Sequence, residues 1–147
     1  MSVGNHGKRG TTLRGIAPLI FCLAFIWPFG GGGRTFHLMS GTSAPGARGT
    51  VQVKNGDNSN TILDVKVHAL ANPSTLTPAE NVYVVWIEPP GQSPQNLGQI
   101  TVNQKEDGEL HTVTASQRFH IFITAEQNAN AQMPQGPRIL SADISGS

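Results

Sequence analysis

Asn81-Val82-Tyr83-Val84-Val85-Trp86-Ile87-Glu88-Pro89-Pro90-Gly91 decides the fold. Val82 to Ile87 is β-branched or aromatic throughout and too short for a helix, and it stops at a Pro-Pro-Gly turn. Such a run reads as a strand buried on both faces, lying centrally between two layers. Trp86 and Tyr83 are read as core, since large aromatics supply much of the burial in a small β fold.

Outward from this strand the chain divides into short alternating segments and turns. On the N-terminal side, Arg34 to Met39 alternates at Phe36 and Leu38, and Thr50 to Lys54 points Val51 and Val53 inward. The Asn55-Gly56 turn leads to Thr61–Leu70, with Leu63, Val65, Val67 and Ala69 on one face and Asp64, Lys66 and His68 on the other. These two segments form a hairpin with one dry and one wet face. The Pro- and hydroxyl-rich stretch 72–80 is a crossover into the central strand.

On the C-terminal side, Asn96 to Val102 is a strand with Ile100 and Val102 inward. Lys105-Glu106-Asp107-Gly108 is a hairpin turn, after which Glu109 to Thr114 is expected to pair back. Phe119 to Ala125 is the second strong strand, with Phe119, Ile121, Ile123 and Ala125 facing the core. Gln127 to Arg138 is a loop, and Ile139 to Ile144 is the last strand. No segment keeps a helical period. The expected fold is all-β: an immunoglobulin-like two-sheet sandwich of about seven to eight strands. Seventeen Gly and ten Pro suit such a turn-rich chain.

The first 33 residues read as an address, a signal peptide or membrane anchor, and 34–147 as the β-sandwich domain. Residues 1–15 are polar and basic. Ile16 to Phe29 is then apolar for fourteen residues, short of the roughly 20 that a spanning helix needs and suited to a signal segment. Gly30 to Gly33 supplies the small residues of a cleavage site. Two alternatives are weighed: Cys22, the only cysteine, as a lipid-acceptor site, disfavoured by bulky Phe21 before it, and the apolar segment as an uncleaved anchor, disfavoured by its two prolines and short length. With one cysteine there is no intrachain disulfide.

Charge follows the same division. Lys8, Arg9 and Arg14 precede the apolar segment; the rest carries seven Lys and Arg against nine Asp and Glu, a net of −2. With no basic cluster, nucleic acid is not an expected partner.

Motifs in the second half resemble the C-terminal domain of anti-sigma-K factors: Tyr83-x-x-Trp86-Ile87-x-Pro89-x-Gly91, Asn96-Leu97-Gly98-x-Ile100, Phe119-x-Ile121-x-Ile123-Thr124-Ala125-Glu126 and Pro134-x-Gly136-Pro137-x-Ile139-Leu140. The resemblance covers roughly residues 80–142. It implies the fold and the extracytoplasmic location of that domain. Sigma-factor binding is not expected, because only about fifteen Gly-rich residues precede the apolar stretch, too few to bury a binding interface.

Candidate chemistry is sparse. His37 and Met39 share one strand face and, with His68, His111, His120 and Met133, raise a copper site; a blue-copper centre needs a Cys thiolate, which the exported part lacks. Solvated strand histidines are the plainer reading. No Gly-x-Ser-x-Gly or Ser-x-x-Lys pattern activates a hydroxyl. Glu106, Asp107 and Glu109 crowd a turn. Glu88 and Glu126 close the two strongest strands; a pair sharing one end of the sandwich is the alternative weighed, and solvated strand ends are the favoured reading. The sequence therefore predicts a non-catalytic exported module of the cell envelope, periplasmic or extracellular, without cofactor or metal. Its partner is an envelope protein or surface, its contact surface the loops Pro89 to Gln95 and Gln127 to Arg138, and it meets the membrane only through residues 16–29 if these are retained. A periplasmic copper-binding protein and a membrane-anchored envelope-sensing regulator are the alternatives.

Overall fold

Val82–Glu88 is a strand, β4, and its five central residues are all buried. Tyr83, Val85 and Ile87 point into the main core, whereas Val84 and Trp86 point the other way, into a second small cluster with Phe122. The expectation of a doubly buried strand thus holds. Its cause differs: β4 is second from one end of the strand order, and its outer face is covered by a loop.

The computed structural model describes residues 32–146, so the apolar segment 16–29 and Cys22 lie outside the described residues, and of the expected cleavage region only Gly32 and Gly33 lie within them. The other strands are β1 (Arg34–Ser40), β2 (Arg48–Asn55), β3 (Thr61–His68), β5 (Gln95–Ile100), β6 (Gly108–Thr114), β7 (Phe119–Glu126) and β8 (Arg138–Ile144). Two short 3-10 turns, Asp57–Ser59 and Pro73–Thr75, are the only helical turns among the described residues. All eight strands join in the order β5-β4-β7-β8-β1-β2-β3-β6, each neighbour antiparallel. The two ends of this sheet come back together at one bridge, Val102 to Gly108, so the sheet is nearly closed.

The period-two reading placed the core correctly. Val51, Val53, Leu63, Val65, Val67, Phe119, Ile121, Ile123 and Ala125 are all buried inside the sheet. The β2–β3 hairpin runs in unbroken register from Arg48–His68 to Asn55–Thr61. Burying a Leu or Ile side chain stabilises by about 1.5–3 kcal/mol, so each alternation counts.

Two expectations are corrected. Ala69 has φ 52° and turns outward; the left-handed kink brings Leu70 into the core instead, its N–H donating to the Glu106 carbonyl at 3.0 Å. The segment after the Asp107-Gly108 turn does not fold back along β5. It pairs with β3 through seven positions, Thr61–Thr114 to Val67–Gly108, because the alternating face of β3 offers a longer apolar match than bulged β5.

The crossover from β3 to β4 passes over the end of the sheet and is tied by Tyr83, whose hydroxyl donates to the Ala71 carbonyl at 2.7 Å. Burial, with the Glu106 charge adding to it, pushes this phenol up to about 12.

Candidate functional site

The loop between β7 and β8 closes the outer face of β4 and β7, and a buried carboxylate holds it there. Glu126 is 2% exposed. Its two oxygens accept the Gln135 N–H (3.0 and 3.2 Å) and the Gly136 N–H (3.2 Å each). The Thr124 hydroxyl donates to Glu126 Oε1 at 2.5 Å and accepts from Trp86 Nε1 at 2.8 Å. A chain of hydrogen bonds therefore runs from the indole to the loop backbone, and none of its buried polar atoms is left unpaired.

Gly136 is required for this closure. A Cβ there would lie 1.6 Å from the Ala125 carbonyl oxygen, a distance no side chain tolerates. The pairing of Thr124-Ala125-Glu126 with Pro134-x-Gly136-Pro137 is thus one structural unit.

Further along, Asn96 of β5 donates to the Ala129 and Ala131 carbonyls at 2.9 and 3.0 Å. Asn81 and Glu80 hold Gln127 at the other end of the loop. Ala131 then packs over Trp86 and Phe122, whose rings stack with centroids 6.5 Å apart. Arg138 covers the Phe122 ring, its guanidinium 4.2 Å from the ring centroid.

This arrangement leaves a groove of about 920 Å³ beside β5, between Pro94–Gln99 and Ala129, Asn130 and Gln132. Its polar lining is side-chain amide (Gln95, Asn96, Gln99, Asn130, Gln132), with no ionisable group. The groove joins the two loops expected to form a contact surface, by a different route than expected. β4 and β7 are antiparallel, so Pro89 follows Glu88 at one end and Gln127 follows Glu126 at the other. The second loop folds back across the sheet face and meets the start of β5 at its side.

The same antiparallel register corrects the placement of the two carboxylates. Glu88 lies opposite His120 and Glu126 opposite Val82, at opposite ends of the strand pair. Glu126 is buried rather than solvated. Three aspartates serve as partners of histidine or lysine. Nδ1 of His68 lies 2.8 Å from Asp107 Oδ1, Nδ1 of His120 lies 2.6 Å from Asp143 Oδ1, and His111 is hydrogen-bonded to Asp64. The His111 hydrogen bond, with Lys54 at 3.1 Å from the other oxygen, holds Asp64 below the usual carboxylate range against a smaller opposing effect of burial. Glu106 sits at φ 62° in the turn, and Glu109 lies opposite Lys66.

His37 and Met39 are both exposed on one face of β1, as their spacing predicts. Their cross-strand partners are Thr50 and Ser141, neither a soft ligand, and Met133 is exposed on the loop between β7 and β8. Among the described residues no three His, Cys, Asp or Glu converge as a metal site.

Asn96, Thr124 and Gly136 went unassigned as functional or structural anchors by residue chemistry alone. The one signal for them was their place in the motifs quoted from the second half of the sequence. Searches against protein-family models, curated proteins and solved structures found no match to this chain.

Proposed function

We propose that this chain is a non-catalytic, exported β module of the cell envelope that works by binding a protein partner, similar in fold and setting to the C-terminal domain of anti-sigma-K factors. The finer architecture of this reading is an immunoglobulin-like sandwich. In its support, β1-β2-β3-β6 and β5-β4-β7-β8 form two quartets joined by only two residue pairs of β1 and β8 and by the Val102–Gly108 bridge.

The observation that carries the functional reading is the clamped, uncharged groove beside β5. A loop held at its start, middle and end is preorganised, which lowers the ordering cost of binding. Loops and edges positioned by a rigid sheet are where recognition concentrates. Glu126 is spent on the loop backbone, and His68, His111 and His120 are paired with aspartates.

A photo-crosslinking residue at Asn130, introduced into the full chain in intact cells, tests the reading. A discrete crosslinked envelope protein, absent when the residue sits at exposed Thr35, is the expected result. Equal labelling at both positions overturns it. Sequencing the N-terminus of the recovered chain tests export: a free end near residue 34 fits a cleaved signal, and an intact 16–29 segment fits a retained anchor.

A further inference from the structure

The outer face of β3 and β6 carries two adjoining grooves. One, of about 530 Å³, runs from Lys66 and His68 to Thr101 and Asn103. The other, of about 370 Å³, lies over Val65 and Leu110 between Lys54 and His111. Lys66 and Glu109 line both, so they stand where the two meet. Each groove falls within the size of small-ligand pockets, about 300–1,000 Å³.

Strand pairing puts these two side chains together. Lys66 lies directly opposite Glu109 in the β3–β6 ladder, and both are exposed on the face opposite to the one that Val65 and Val67 bury. The Cβ atoms of such a pair are about 5 Å apart.

Every other ionisable side chain lining the grooves is paired. Lys54 and His111 take the two oxygens of Asp64, and His68 takes Asp107. Arg48, opposite His68 on β2, lines neither groove. Among the described residues, Lys66 and Glu109 form no ion pair, with each other or with a neighbour. One cation and one anion are thus left side by side at the junction.

An exposed pair of this kind gains at most about 1 kcal/mol by closing on itself, so a ligand that brings both charges displaces little. A purely anionic ligand would meet the Glu109 carboxylate beside its cation, and a purely cationic one the Lys66 ammonium. The junction therefore selects a molecule carrying both signs. The remaining lining suits peptide groups: the Thr101 hydroxyl and the Gln99 and Asn103 amides offer donors and acceptors, and Val65 and Leu110 add apolar surface.

We propose that these grooves bind a short peptide with both ends free, its carboxylate against Lys66 and its ammonium against Glu109. This is a second site. It shares only Gln99 with the amide-lined groove beside β5, so it stands or falls independently of that groove's role.

The test presents the full chain with a pool of random tripeptides at millimolar concentration and reads binding by saturation-transfer NMR. For a tripeptide so selected, N-acetylation and C-amidation should each weaken binding at least tenfold. Glu109→Gln should weaken the free peptide by a similar factor and remove any further effect of acetylation; Lys66→Gln should do the same for amidation. Asp57→Asn, which removes an exposed carboxylate at the β2–β3 turn, should leave binding unchanged, and the urea midpoints of all three variants should match the parent. Equal binding of free and blocked peptides, indifference to both Lys66→Gln and Glu109→Gln, or no bound tripeptide at all overturns the proposal. Binding that needs the carboxylate and Lys66 but not the ammonium overturns it in favour of a simple anion site.

Discussion

Glu126 and Gly136 lock together: both carboxylate oxygens lie 3.2 Å from the Gly136 N–H, and the glycine's missing Cβ leaves room for the Ala125 carbonyl beside it. The carboxylate is the roof clamp of the outer cluster, and its removal strands three donors, the part-buried N–H groups of Gln135 and Gly136 and the buried Thr124 hydroxyl. Glu126→Ala should therefore cost about 3 kcal/mol of unfolding free energy, read from the urea midpoint at constant slope, and Glu126→Gln roughly half of that. A loss below about 0.5 kcal/mol for the Ala variant would show that the clamp is not needed.

Gly136→Ala tests the same contact from the other side. The added methyl meets a backbone oxygen, so the loop must lift and expose Trp86. In a Trp27→Phe background, which leaves Trp86 as the one indole, iodide should quench the variant and spare the parent. Equal quenching of the two would remove the loop as the cover of β4.

Tyr83 is the only tyrosine in the chain, so ultraviolet absorbance follows its ionisation without interference. The midpoint should fall near 12 in the folded protein, against its ordinary value of 10.0 in urea. A folded pKa above the unfolded one means that the neutral phenol is favoured by folding. Its contribution is complete below pH 10 and is lost as the pH rises through the folded value. Tyr83→Phe should flatten that alkaline loss. It should also destabilise by about 1 kcal/mol at neutral pH, because the Ala71 carbonyl loses its donor.

Asp64 acts in the opposite sense at acid pH. Its pKa is lowered, so its stabilisation is present above the ordinary 3.8 and fades as the pH falls through the lower folded value. Asp64→Asn should be less stable than the parent at pH 6, by up to about 1 kcal/mol since the partners are largely exposed, and equal to it at low pH. A constant difference between the two across the acid range would show that the ion pairs to His111 and Lys54 are not the source.

Copper should not be retained at His37 and Met39. Their cross-strand neighbours Thr50 and Ser141 offer hydroxyls, and a soft ion needs more than one imidazole and one thioether. Equilibrium dialysis against Cu(I) and Cu(II) at micromolar concentration should leave the protein empty; stoichiometric copper, lost in His37→Ala, would reverse this.

Much of the fold was legible because burial has a local signature. Leu63, Val65 and Val67 alternate with Asp64, Lys66 and His68, and β3 could hardly face another way. Ala69 broke the pattern through a φ of 52°, which an alanine does not announce. The site was harder to read. Glu126 looked like a solvated strand end, since its partners are backbone N–H groups nine and ten residues later, and every non-proline residue carries one. Only Gly136 marked the place.

The sequence alone settled that residues 34–144 form an all-β domain, roughly where its strands lie and, Ala69 aside, which apolar side chains point inward, because side-chain alternation and the free energy of burial act residue by residue. Tertiary structure decided that β6 joins β3 instead of β5, that a loop covers Trp86, and that an amide-lined groove lies beside β5. Those choices depend on hydrogen bonds to main-chain groups. The groups that form them are the same at nearly every position, so the sequence cannot name their partners before the chain has folded.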